Sequence, residues 1–205
     1  MARRRKKRSP VGTGLLVALL LAAGTMVTVR HLANYKPEVM PPVTPVRASE
    51  ARKAVTQAKD TVSEVSRAAA RGQRVPFSVQ VKDDDLTTYT ASDMKIKRQL
   101  SAKGSRNPRF QFGDGTVTVS GFMTYHNREV YVTVSGKPMA DVSGRVKFSD
   151  VSVHVGKLSA PMLAAKAQKM FDQAFSSGDA KLPADVRQIT AQNGQLMLSG
   201  VSRPE

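Results

Sequence analysis

Three groups of residues in this chain carry side chains able to do chemistry, and their spacing decides what each is for. Asp83-Asp84-Asp85 is the densest carboxylate cluster. Such a cluster can ligate Ca²⁺ or act as acid and base. Its place directly before Leu86 gives it a simpler role, because carboxylates in the first turn of a helix accept free N–H groups and favour the helix dipole. The histidines, His31, His126 and His154, stand far apart in sequence, and no two have the spacing of a metal-ligand pair. The third group is basic: Arg98, Lys103, Arg106 and Arg109, with Phe110 beside them. This pattern suits the phosphate oxygens of a nucleic acid or a lipid headgroup, and equally a solvated basic loop.

Familiar catalytic frames are missing. The sequence has no G-x-S-x-G elbow, no G-x-x-x-x-G-K-[ST] phosphate loop and no glycine fingerprint at the start of a βαβ unit. It has no cysteine, which removes disulfides, thiolate catalysis and Cys-based zinc sites together. The expectation is a protein that is not an enzyme, with no catalytic residue, metal or cofactor.

The elements that would hold these residues follow from composition. The formal charge of +16 is unevenly spread. Residues 1–30 hold 7 Lys/Arg and no acid, residues 31–75 hold 8 against 4, and residues 76–205 hold 17 against 12, which leaves +5 on the last part. A nucleic-acid partner is therefore not expected. Six consecutive basic residues, Arg3 to Arg8, precede a stretch from Val11 to Val29 that has no charge. A helix of that length spans about 28 Å, close to the hydrocarbon thickness of a bilayer. The basic flank sets the N-terminus inside and the remainder outside. A cleaved signal peptide is the competing reading, whereas LAAG lacks the cysteine a lipoprotein needs. The expected organisation is a basic cytoplasmic tail over 1–10, an anchor over 11–29, a Pro-rich linker over 30–47 and an extracytoplasmic domain over 48–205. That places the protein at the cytoplasmic membrane as a single-pass chain.

Within the domain, Ser49 to Arg71 reads as a helix with Ala51, Val55, Ala58, Val62, Val65 and Ala69 on one stripe, capped by Ser49 and closed by Gly72. The stripe suits a helix packed on a sheet, or a seam that pairs with an envelope partner. From Val75 the period becomes two. KDDDL starts a short helix with Leu86 and Tyr89, and 92–108 reads as a long loop or irregular edge. Gly113-Asp114-Gly115 turns one hairpin and Asn193-Gly194 another. Between Arg145 and Val155 the parity of apolar residues switches, with Val146 and Phe148 even and Val151, Val153 and Val155 odd, so a bulge belongs near Ser149-Asp150. Leu158 to Ser176 reads as a further helix. The fold class is α+β: an N-terminal transmembrane helix, then a curved antiparallel sheet packed with two or three helices.

Methionines at 123, 139, 162, 170 and 197, with the valine-rich strands, can line an adaptable apolar groove or simply fill an ordinary core. The runs FSVQVKDDDLTTYT, GDGTVTVSGFMTYHNREVYVTVSGKP, VSVHVGKLSAPML and ITAQNGQLMLSGV resemble the LmeA-like and YpmS-like extracytoplasmic domains of bacterial envelopes. Val155-Gly156-Lys157-Leu158 followed by Pro161 is the most specific element, and the similarity covers about residues 75–203. The resemblance implies a tubular-lipid-binding-like architecture that handles a lipid or lipid-linked envelope molecule. The groove walls it implies are Val117, Val119, Met123, Val130, Val132 and Val134 on the sheet and Met162, Met170 and Phe171 on the helix. Arg98, Lys103, Arg106 and Arg109 are then the headgroup candidates. Expected partners are the bilayer, a lipid ligand and an envelope protein.

Overall fold

The computed structural model describes residues 35, 37, 43–102, 104–125, 128–142, 144–176 and 183–204, without the side chains of 125, 166 and 170–176. The expected tail and anchor, and most of the linker, lie outside the described residues. Among the described residues no helix is long and apolar enough to cross a membrane.

The first helix, α1, runs Pro45–Ala70, four residues earlier than the Ser49 cap suggested. Thr44 is extended and accepts the N–H of Arg47, while Pro45 takes the first helical position, where its missing N–H is harmless. The helix ends in a Schellman motif. Gly72 adopts φ +72°, the N–H of Gln73 reaches the Ala68 carbonyl at 2.9 Å, and the N–H of Gly72 reaches Ala69 at 2.9 Å. Ala51, Val55, Val65, Ala68 and Ala69 are buried, so the small-residue stripe packs inward against the body of the domain.

The expected single sheet is two antiparallel sheets. β1 (Pro76–Lys82) pairs with β8 (Gln195–Ser202), and β8 pairs on its other side with β7 (Ala184–Gln192). The second sheet is the meander β2 (Ser105–Gly113), β3 (Thr116–Tyr125), β4 (Arg128–Ala140), β5 (Val146–Val155) and the two-residue β6 (Leu158–Ser159). With both sides of β8 occupied by β1 and β7, the closing hairpin cannot continue the meander. The helix expected from Leu158 begins later, because Leu158 and Ser159 pair with Val155 and His154; α4 is Pro161–Ser176 and packs on β5.

Two short helices precede the meander. α2 spans Asp83–Ser92 and α3 spans Met94–Ala102, where a loop was expected. Asp93 starts α3: its carboxylate accepts the N–H of Lys95 at 2.9 Å and of Ile96 at 3.0 Å.

The sheets meet at their hairpin tips, where the N–H of Gly115 reaches the Ala191 carbonyl at 2.9 Å and that of Gly194 reaches Phe112 at 2.7 Å. One core cluster joins α1 to the three-stranded sheet through Val65, Phe77, Ala184 and Val186. A second joins the sheets through Phe112, Val117, Phe148 and Ala191. The parity switch in β5 is the bulge anticipated: Ser135 pairs with Ser152 and Lys137 with Ser149, so Asp150 and Val151 together oppose Gly136. Asp150 adopts φ +52°, and a Cβ on Gly136 would lie 3.2 Å from both Phe148 and Val151. Glycine therefore leaves room for the side chains that the bulge re-aims into the core.

Candidate functional site

Cross-strand pairs on a sheet share a face, so the register sorts the meander into two surfaces. One carries Phe110 and Phe112 of β2, Val117, Val119, Gly121 and Met123 of β3, Val130, Val132 and Val134 of β4, and Val153 and Val155 of β5. Its burial is graded. At the hairpin-tip end Phe112 is 4% exposed and Val117 9%, both beneath the three-stranded sheet. At the opposite end Met123 is 44% exposed and Val130, Val132 and Val155 are half-buried; they belong to neither buried cluster, and nor does Val153, which is only 4% exposed on β5, the strand α4 packs on.

The end that holds Met123 has a shaped rim. Asn107 and Pro108 together oppose Gly121, because Arg106 pairs with Phe122 and Arg109 with Ser120. Asn107 takes φ +50°, and a Cβ at Gly121 would lie 3.1 Å from the Arg106 carbonyl. The bulge thus folds its backbone over the apolar face at Gly121, and proline suits this place because no ladder N–H is needed there.

The groove residues inferred from sequence divide accordingly. Val117 is core, and Val119 packs against that core. Met123, Val130, Val132 and Val134 share the same face beyond it. Met162 stands at the start of α4, 93% exposed and directed into no core. Met170 and Phe171 are on α4, and their side chains lie outside the described ones. The headgroup candidates are not brought onto this face. Arg106 and Arg109 share the opposite surface, Arg98 is exposed on α3, and Lys103 lies outside the described residues. Arg106 is paired with Glu129.

The opposite surface is hydroxylated. One cross-strand row reads Arg109, Ser120, Thr133, His154 and Ser159, and the next Gln111, Thr118, Ser135 and Ser152. Tyr131 donates its hydroxyl hydrogen to Ser120 Oγ at 2.7 Å, and Thr118 donates to Ser135 Oγ at 3.1 Å. Phe122 meets Tyr131 edge to face at 5.2 Å. Ser120 and His154 are separated by β4, about 10 Å at two strand spacings. They do not form a nucleophile–base pair.

The Asp83–Asp85 cluster is structural in its contacts. Asp83 Oδ1 accepts the N–H of Asp84 at 2.7 Å, and Oδ2 accepts that of Phe112 at 3.2 Å. Arg47 lies 3.5 Å from Asp84 and 3.6 Å from Asp85. Arg47, Asp83 and Asp84 border an open cleft of about 510 Å³ between the starts of α1 and α2 and the edge of β2. Among the described residues no three His or acidic side chains converge as metal ligands would.

Sequence reasoning missed one cluster. The end of the meander that holds Met123 and Val130 also holds Arg106, Arg128 and the Gly156-Lys157 turn, where the N–H of Gly156 reaches the Tyr131 carbonyl at 2.7 Å. Lys157 Nζ sits 4.6 Å over the ring of Tyr35. The signal is one of register, which becomes visible only once the strands are paired.

No family model, curated protein or solved structure matches this chain.

Proposed function

We propose that the chain is a non-enzymatic protein of a bacterial cell envelope, anchored in the cytoplasmic membrane by Val11–Val29, that binds a lipid or lipid-linked molecule on the open half of its apolar sheet face. The observation that carries this reading is the graded burial of that face. Val130, Val132 and Val155 are neither taken into a buried cluster nor fully exposed, and Met123 borders them at 44% exposure. A valine and methionine surface of this kind accepts an acyl chain through non-directional burial, worth about 0.8 kcal/mol per methylene removed from water. The bulge at Asn107-Pro108 stands at its border, and the resemblance to LmeA-like and YpmS-like domains points the same way.

The test is organic extraction and mass spectrometry of the full chain and its Val132→Glu variant, purified in parallel in one detergent. A lipid retained in molar proportion by the parent chain and lost from a folded variant is the expected result. Equal lipid on both overturns the placement, and none on either overturns the function.

A further inference from the structure

We propose that α3 and the adjoining end of the five-stranded sheet rest on the anionic surface of the bilayer. The proposal rests on the reading of Val11–Val29 as a membrane anchor and adds the orientation of the domain and the lipid class it touches.

Two independent observations meet at this end of the molecule. The first is charge. Between Asp93 and Asp114 the sequence holds six Lys/Arg and no acid. On α3 the exposed side chains include Lys95, Lys97 and Arg98, while Ile96 and Leu100, one turn apart, are half-buried where the helix packs against β2. Met94 heads the helix at 61% exposure. The cap residue Asp93 is engaged by the N–H groups of Lys95 and Ile96, and Glu129 of β4 by Arg106. A basic helix with an apolar underside and an exposed thioether is suited to phosphate headgroups, with Met94 entering the interface.

The second observation is the tether. Tyr35 lies against Lys157. Tyr35 is six positions beyond Val29, the last uncharged position before Arg30. Six residues reach at most about 20 Å even when fully extended. The Gly156-Lys157 turn shares its end of the sheet with Ser105, Met123 and Val130, and α3 leads directly into that end through Gly104, whose carbonyl accepts the N–H of Thr124 at 2.8 Å. β2 and β5 are three strand spacings apart, about 14 Å. A chain anchored through Val29 therefore keeps the cationic end within reach of the headgroups, and the open apolar face ends at the membrane.

The chain has no cysteine, so Met94→Cys offers a unique attachment point for an environment-sensitive fluorophore. The full chain is placed in nanodiscs of phosphatidylcholine alone or of phosphatidylcholine with phosphatidylglycerol, and a second version is labelled at Met197→Cys on β8. The expected result is a blue shift of the position-94 label in the anionic discs only. That shift is lost in about 1 M salt, where charges are screened beyond about 3 Å, and is lost in K95Q/K97Q/R98Q, whose glutamines keep helix propensity. The position-197 label should not respond. Emission from position 94 that is the same in both lipids overturns the docking while leaving the anchor intact. Failure of the full chain to enter nanodiscs overturns the anchor and the docking together.

Discussion

The carboxylate of Asp83 accepts the backbone N–H of Phe112, 29 positions away, while its own N–H reaches the Gly194 carbonyl at 2.9 Å. One residue at a helix start therefore fastens the edge of β2 and the turn between β7 and β8. Thr87 adds a second tie through its hydroxyl, which accepts the N–H of Phe110 at 2.9 Å. Together they occupy the outward N–H groups of an edge strand, which would otherwise be open to pairing with another chain. Asp83→Ala should lower stability by about 1–3 kcal/mol, the usual consequence of orphaning such donors. The shift in urea midpoint measures it, and a midpoint equal to that of the parent refutes the role.

The apolar face of the meander should respond to substitution in two ways along its length. Phe148→Ala, beneath the three-stranded sheet, should cost about 3–5 kcal/mol. Val132→Ala, which lies in neither buried cluster, should cost less than about 1.5 kcal/mol, near the low end for small aliphatic truncations. Denaturation curves of the two variants decide, and equal losses contradict the burial gradient.

Gly200 lies close against the neighbouring strand, since a Cβ there would lie 2.3 Å from the Asp185 carbonyl oxygen. The contact arises where Arg187 is bulged out of β7, between the Val186 pair with Gly200 and the Gln188 pair with Ser199. Gly200→Ala should destabilise by about 1–3 kcal/mol or more, because backbone must move. A thermal midpoint unchanged by this substitution would remove the close approach from the account.

The Asp93 carboxyl titrates below its ordinary 3.8, first because of the Ile96 N–H bond, with Lys95, Arg52 and Lys59 adding to the effect. A carboxylate whose folded pKa is depressed lends stability above its unfolded pKa and loses it as pH falls through the folded value. The amide resonances of Lys95 and Ile96 should follow a transition centred below 3.8. In Asp93→Asn that transition should vanish, while the α3 signals at neutral pH stay in place because asparagine caps nearly as well.

Much of the local structure was legible because it is written in period and punctuation. The parity break between Phe148 and Val151 located the β5 bulge, and Asn193-Gly194 located the last turn. α3 was obscured by its low apolar content and by the glycine and proline that follow. Its cap at Asp93 ahead of Lys95-Ile96-Lys97-Arg98 was the available signal. Thr44-Pro45 was likewise a cap that Ser49 masked. What periodicity could not supply was pairing, because a strand's pattern states which face is apolar and not which neighbour it takes. The partnership of β1 with β8, and hence the second sheet, was hidden for that reason. That Val117 to Val134 share one sheet face was legible, but not how far the three-stranded sheet covers it.

β8 is the central strand of its sheet, holding β1 on one side and β7 on the other, with Pro76 opposite Val201. Of the described strands β8 is made last, and it is the one on which the first strand waits. A ribosome that has made everything through β7 has produced a meander able to form locally, but β1 and the face of α1 that packs on this sheet still have no partner. The three-stranded sheet must await synthesis of β8, and non-local pairing of this kind is slow.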